Sequence, residues 1–526
     1  MLALNEKRLQ NRGEWESRGY ALPAYDRAAV IEKTRRAPAW IHFGAGNIFR
    51  AFQCNAVQRL LNAGEIDTGI IAVEGFDYEI VEKGYRNNDN YTLLVTLKAD
   101  GSVEKTVIGS IAESCILDRD NAEEYGRLKE IFSNPSLQMA SFTITEKGYA
   151  VTPAVEADFA NGPEKPESYI GKVTSLLYAR YQAGGAPIAM VSMDNCSHNG
   201  DKLKAAVLAF AQGWQDTGFL AYVNSGKVSF PWTMIDKITP RPDASVEQML
   251  RQDGLTGLEP VVTARHTYIA PFVNAEESEY LVIEDDFPNG RPALEKAGFI
   301  FTDRDTVNKV ERMKVCTCLN PLHTALAVTG CLLGYTRISD EMKDADLVAL
   351  IKRIGYTEGL PVVTDPGVIK PREFIDTVVN VRLPNPFMPD TPQRIACDTS
   401  QKIPIRFGET VKCYLADPAR DASSLKAIPL AMAAWLRYLL GVDDKGDPME
   451  VSPDPLLPEL QQALSGISLG DALSAQGRLD PLLARADLFG VSLAEAGLDG
   501  RVKAFFAEML AGPGAVRETL HRHLAQ

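Results

Sequence analysis

Four side chains able to move a proton or hold a developing charge fall within one short stretch, Glu311 to His323, which reads E-R-M-K-V-C-T-C-L-N-P-L-H. It supplies a carboxylate (Glu311), an ammonium (Lys314), a primary amide (Asn320) and an imidazole (His323). A lysine flanked by apolar residues is costly to bury unless it is paired or used. With its pKa lowered by burial, such a lysine serves as a general base near neutral pH. A positioned amide stabilises negative charge as it forms on oxygen. The apolar run Thr324 to Tyr335 follows directly, which places these groups at the edge of a core. The plain alternative is an amphipathic helix whose lysine is solvated.

Such groups need a scaffold. Ala39–Phe43 reads as a short buried strand that runs into Gly44-Ala-Gly46, and residues 51–63 follow with helical spacing. A second buried strand, 69–73, ends at Glu74. Strand, glycine turn, helix, strand, acid is the order of a dinucleotide-binding unit. Gly44 would make the tight turn, and Gly46 would let the backbone approach a pyrophosphate. The helix amides that follow, at Asn47 and Ile48, would face the phosphates. The third glycine of the usual G-x-G-x-x-G is replaced by Phe49. Glu74 lies 28 positions after Gly46, later than the usual spacing of about 20. If it holds a ribose hydroxyl, its charge favours NAD over NADP. A strand-to-helix turn without a ligand is the alternative.

Further strands are expected at Tyr91–Leu97 and Glu104–Ala112, joined as a hairpin through Ala99-Asp-Gly-Ser102. Met139–Thr145 is another strand, ending in the polar cluster Glu146-Lys147-Gly148-Tyr149. After a helix over about 166–183, the strand Ile188–Met193 ends in Asp194-Asn195, and a helix begins near Asp201. Ligands of open α/β sheets sit at such strand ends, although Asp194 and Asn199 also fit as caps or turn residues. Tyr280–Glu284 is one more strand. From Glu311 onward the pattern is helical, over 324–335, 341–354, 371–381, 425–440 and 456–464, and the acidic stretch 442–447 reads as a solvated loop. This gives an α/β region over 1–300 and a mostly helical region over 301–526.

The chain has 526 residues, 45% hydrophobic and 24% charged, with a net charge of −14. The acidic balance argues against nucleic acid and anionic membranes as partners. The N-terminus carries charges where a signal peptide needs an apolar core, and no apolar run of 18 residues is evident. Eight cysteines without a C-x-x-C pair read as reduced thiols of a cytoplasmic protein, with no zinc-ribbon spacing.

Several segments together resemble the long-chain polyol and sugar-acid dehydrogenases, the mannitol dehydrogenase family. They are HFGAGNIFRAFQ (42–53), TITEKGY (143–149), MDNCSHNG (193–200), TMIDKITP (233–240), VIEDDFPNGRP (282–292), the 311–323 stretch and RIACDTSQKIP (394–404). The resemblance implies a Rossmann-type α/β domain that binds NAD, a mostly α-helical C-terminal domain, substrate in the cleft between them, and no metal. It implies that Lys314 is the general base, that Asn195 and Asn320 cradle the alkoxide oxygen, and that His323 orients substrate. Asp236, Glu311, Arg394 and Lys402 match further cleft positions.

The expected reaction interconverts a 2-keto sugar acid and its secondary alcohol. D-fructuronate and D-mannonate are favoured, since Lys237, Arg241 and Arg394 offer cations for a carboxylate. Mannitol oxidation and tagaturonate reduction are the close alternatives, and a catalytically inactive NAD(H)-binding sensor is the alternative of another class. A metal site at Cys316, Cys318 and His323 is weaker than buried free cysteines. The chain is expected to act as a monomer or homo-oligomer on a small sugar acid or polyol.

The stretch departs from the family pattern. Lys314 and Asn320 are six positions apart where five is usual, and N-P-L-H replaces N-G-(S/A)-H. On a regular helix one extra residue rotates all that follows by about 100°. A π-bulge or a helix break is therefore expected between them, with Asn320 as N-cap, Pro321 at the first helical position, and the Lys314 and Asn320 side chains converging.

Overall fold

The computed structural model describes residues 2–242 and 244–524. The chain divides into two compact units, one of Met1–Lys98 with Ser102–Asn308, the other of Ala99–Gly101 with Lys309–Gln526.

The first unit is built on six strands: β1 (Trp40–Phe43), β2 (Ile70–Glu74), β3 (Ile111–Ile116), β4 (Met139–Phe142), β5 (Ile188–Ser192) and β6 (Val228–Ser229). They lie in the order β6-β5-β4-β1-β2-β3 with every pair parallel. This is the dinucleotide-binding order, and the direction of winding reverses between β1 and β4. Trp40 pairs with Ile70 on one side and Met139 on the other. Successive side chains point to opposite faces. Trp40, Ala72, Met139 and Val191 enter one core with Phe52, Val57 and Leu60 of the first helix. Ile41, Phe43, Val73 and Phe142 enter the other with helices α2 (Ala122–Ser133), α3 (Tyr169–Gln182) and α4 (Asn199–Gly213). Both faces are covered, which is why these strands read as unbroken apolar runs rather than alternating ones.

The hairpin forms between Thr92–Leu97 and Val103–Ile108, with Leu97 opposite Val103. The strand expected over 104–112 stops at Ile108. The chain then breaks at Gly109-Ser110, and Ile111 starts β3 in the other sheet. Thr233–Asp236 pairs antiparallel with Tyr280–Glu284, so Asp236 sits opposite Tyr280.

The second unit is helical among its described residues. One helical run, Arg304–Leu333, includes α5 (Arg304–Met313) and α6 (Asn320–Leu333). It contains a window apolar enough by composition to cross a membrane, but 78% of that window is buried inside the protein. It is a core helix. The acidic stretch 442–447 is not wholly solvated. Asp444 is buried, and its carboxylate accepts from Val516 N at 2.7 Å and Arg517 N at 3.2 Å, capping helix Ala515–Leu524.

Candidate active site

Gly44 adopts φ +106°, and a Cβ there would lie 2.2 Å from the Thr143 carbonyl oxygen, so only glycine fits beside the neighbouring strand. Its N–H donates to Val73 O at 2.9 Å. At Gly46 the situation is reversed: a Cβ would meet no atom within 4 Å. The helix begins at Asn47, and Arg50 N is the first amide to bond back, to Gly46 O at 3.3 Å. The opening amides, Asn47 and Ile48 among them, thus head a helix whose approach over Gly46 is open. That open face fits a dinucleotide pyrophosphate. Phe49, in place of the third glycine, is buried, stacks on His42 at 4.3 Å, and starts a π turn over Phe49–Gln53 that precedes α1 (Cys54–Asn62) in the same helix.

Glu74 holds this turn from below. Its Oε2 accepts from Ala45 N at 3.1 Å, and its Oε1 from Gly75 N, Phe76 N and Asp77 N at 3.0, 2.7 and 3.2 Å. The carboxylate is buried and bonded to backbone on both oxygens. It fixes the glycine turn and the loop after β2 together, a role the strand-end position did not announce. Tyr85 adds a second tie, its hydroxyl donating to Ala45 O at 2.9 Å.

At the ends of β4 and β5 the motif residues tie into one another. Asp194 reaches across to the β4 end and accepts from Ile144 N at 3.0 Å, Thr145 N at 2.9 Å and Tyr149 Oη at 2.5 Å. Burial pushes its pKa up. Thr145 is held at φ 65°, ψ 159°, a region that side chains other than glycine rarely occupy. Asn199 is buried at the start of α4, and its Nδ2 donates to Asp194 O at 2.9 Å and Thr233 Oγ1 at 2.8 Å. Asp194 and Asn199 are therefore tertiary struts rather than local caps. Asn195 is exposed between them. Asp236 is buried at its strand end. Lys237 is not available to a substrate carboxylate: its buried ammonium donates to Glu276 O at 3.0 Å and pairs with Glu279 at 3.1 Å. Arg241 is exposed, with its carbonyl accepting from Asn274.

In the second unit, a π turn spans Lys314–Cys318, directly between α5 and α6. Leu319 N donates to Lys314 O at 3.1 Å, and Leu319 itself leaves helical geometry at φ −129°, ψ −62°. The expected bulge and break are both present. The new helix starts one residue earlier than expected: Leu319 is the N-cap and Asn320 the first helical residue, with His323 N bonding to Leu319 O at 3.1 Å. Lys314 is buried, and Glu311 and Asn320 are partly exposed. Cys316 and Cys318 are buried thiols whose pKa values burial raises.

His323 is the centre of a charged cluster in this unit. Its Nε2 lies 3.9 Å from Asp390 Oδ2, and that buried nitrogen has no hydrogen-bond partner. Burial, with Arg406, Arg394 and Arg382 nearby, lowers its pKa to about 4 against the pull of Asp390, so the ring is neutral at pH 7. Arg394 pairs with Asp390. Lys402 donates to the carbonyls of Ile395, at 3.0 Å, and of Cys397. Asp390 and Arg406 were not singled out in the sequence. Asp390 lies in a loop and Arg406 in a turn, and the groups that draw them into the cluster, His323 and Thr324, are distant in the chain.

The chain matches the mannitol dehydrogenase Rossmann domain over residues 38–296 and the mannitol dehydrogenase C-terminal domain over 306–509. It is 50% identical to a D-mannonate oxidoreductase of Thermotoga maritima, over 99% of this chain and 98% of that protein. It is 30% identical to a D-mannonate oxidoreductase of Escherichia coli, over 84% of this chain and 87% of that protein. Among solved structures it is similar to Pseudomonas fluorescens mannitol 2-dehydrogenase in a ternary complex with NAD and D-mannitol. That match has a TM-score of 0.69 at 28% identity and covers 100% of both chains. A substrate-free D-sorbitol dehydrogenase matches with a TM-score of 0.74 at 26% identity, over 93% and 97%. The parallel sheet with its glycine turn and the helical unit with its buried lysine are thus matched along nearly their whole length, and the chain belongs to the mannitol dehydrogenase family of oxidoreductases.

Proposed function

We propose that this protein interconverts D-mannonate and D-fructuronate with NAD(H), using Lys314 as the acid–base residue. The observation that carries the reading is the π turn that buries Lys314 and restarts the helix at Asn320, placing an ammonium, an amide and the His323 imidazole on one short segment. The name of the half-identical Thermotoga maritima relative supports D-mannonate as substrate. The dinucleotide would be held by the Gly44–Gly46 turn and the helix opening at Asn47 and Ile48, and when bound it supplies or accepts the hydride.

In the alcohol-to-ketone direction, neutral Lys314 takes the hydroxyl proton as the C–O bond gains double-bond character. In the reverse direction its ammonium returns that proton to the oxygen. Asn320 and Asn195 are assigned as the amides that donate to this oxygen. Each such donor is worth roughly 3–4 kcal/mol in comparable sites. Neutral His323 orients a substrate hydroxyl through the nitrogen that lacks a protein partner. Asp236, Glu311, Arg394 and Lys402 are assigned to the remaining substrate contacts. The buried negative charge of Glu74 at the end of β2 disfavours a 2′-phosphate, which supports NAD over NADP.

The test is an assay of purified protein with D-fructuronate, D-tagaturonate and D-fructose against NADH and NADPH at neutral pH. The reading requires D-fructuronate with NADH to give the highest kcat/KM. A preference for either other ketone would overturn it.

A further inference from the structure

We infer that Arg406 is the residue that recognises the carboxylate of the substrate, and so sets the preference for a sugar acid over a neutral polyol. The inference rests on the proposed reaction for the identity of the acid, but the site itself is read from the charges of the helical unit.

Arg406 lies in the π turn Pro404–Gly408. Its Nη1 donates to Thr324 Oγ1 at 2.5 Å, and among the described residues no carboxylate pairs with it. Burial lowers its pKa to about 10. A guanidinium carries five N–H donors in a planar fork matched to a carboxylate, and here one donor is used by protein. Thr324 follows His323, whose buried Nε2 has no hydrogen-bond partner. The neighbouring cations are already committed: Arg394 to Asp390, and Lys402 to the carbonyls of Ile395 and Cys397.

The cluster therefore gathers Arg406 and Arg394 close enough to Lys402 that, after burial, they lower its pKa, with Asp390 as the carboxylate that pairs with Arg394 and lies 3.9 Å from His323. A guanidinium held largely out of water with no carboxylate partner among the described residues, as Arg406 is, is destabilising unless an anion joins it. A planar carboxylate set on the Arg406 fork offsets that cost, and a neutral ketose or polyol cannot. The ligand class is a monoanionic sugar acid, bound through charge-assisted paired hydrogen bonds.

The experiment compares wild type, Arg406→Gln and Arg406→Lys as full-length protein. Calorimetry follows D-mannonate binding to the NADH-loaded enzyme, and steady-state assays follow reduction of D-fructuronate and of D-fructose. We expect Arg406→Gln to weaken D-mannonate by about 10- to 100-fold. The ratio of kcat/KM for D-fructuronate over D-fructose should fall by a similar factor, mainly through KM. Arg406→Lys should recover part of the loss, because it keeps the charge without the fork. NADH titration and circular dichroism report whether each variant is folded. Equal D-mannonate affinity in wild type and Arg406→Gln overturns the inference, as does a parallel loss on both ketones with the ratio retained. Wild type that binds D-mannonate through Arg406 but does not oxidise it overturns the proposed reaction and leaves the inference standing. Wild type that does not bind D-mannonate overturns both.

Discussion

Lys314 and Leu319 are joined by a backbone hydrogen bond of 3.1 Å, from the Leu319 N–H to the Lys314 carbonyl, which closes a turn one residue wider than that of an α-helix. The extra residue between Lys314 and Asn320 is taken up inside this turn. A turn of this width is a way for a helix to take up one residue without the roughly 100° rotation that a regular insertion would impose. The bulge thus links an irregularity in spacing to the placement of a buried lysine.

Replacing that lysine separates chemistry from binding. Lys314→Met keeps a buried unbranched side chain and removes the titratable amine. It should lower kcat by about 10²–10⁴-fold, with NADH affinity close to wild type. Stopped-flow turnover and a fluorescence titration with NADH measure the two quantities, and near wild-type turnover would remove Lys314 from the mechanism.

The two glycines of the β1 turn should respond in opposite ways. Gly44→Ala places a Cβ 2.2 Å from a carbonyl oxygen and imposes a side chain at φ +106°. It should cost more than about 2 kcal/mol of stability. Gly46→Ala meets no protein atom within 4 Å. It should unfold at the wild-type urea concentration while binding NADH at least about 10-fold more weakly, because its methyl occupies the approach of the pyrophosphate. Urea melts and NADH titrations on the pair decide the matter.

Thr145 holds a backbone conformation that favours glycine, anchored by its N–H to Asp194 at 2.9 Å. Thr145→Gly should relieve about 1 kcal/mol of strain and raise the urea midpoint. A lower midpoint would mean that the threonine side chain contributes more than its backbone costs.

Glu341 should make stability fall with rising pH. Its carboxyl oxygens are buried without hydrogen-bond partners against Gly330, and burial pushes its pKa up from 4.5 to about 9. An acid raised in this way favours the folded state fully below its unfolded pKa. That contribution is lost as pH rises from about 4.5 to about 9. Glu341→Gln removes the linkage, so it should stabilise the protein by up to about 3 kcal/mol at pH 7 and by little at pH 4.5. The difference between the two proteins in urea melts across that range isolates the effect, and a constant difference would contradict it.

Much of this architecture was legible from residue types and spacing. The glycine turn, the apolar strands around it and the helical second half follow from local pattern, because β1, β2, β4 and β5 are buried on both faces. The π turn was legible because Pro321 and the extra residue left the helix no regular continuation. What local pattern missed was tertiary. The segment 104–116 is β-forming throughout, so the change of sheet at Gly109-Ser110 did not stand out. Asp194 and Asn199 resembled local caps because their acceptors and donors lie on other elements. Lys237 looked available until Glu279, far along the chain, claimed it. Arg406 is the converse case: that no carboxylate among the described residues pairs with it cannot be read from sequence.

The wide turn at Lys314–Cys318 has counterparts at Ile80–Tyr85, Arg353–Gly359 and Val378–Arg382. Each is a place where a helix tolerates one residue more than its ladder needs. For an engineer these are the positions where a single codon can be deleted with the helix closing up as ordinary α. At Arg353–Gly359 such a deletion trims a scaffold, whereas between Lys314 and Asn320 the same edit resets the spacing of the proposed base and amide. The segment therefore offers a one-codon handle on the proposed catalytic geometry.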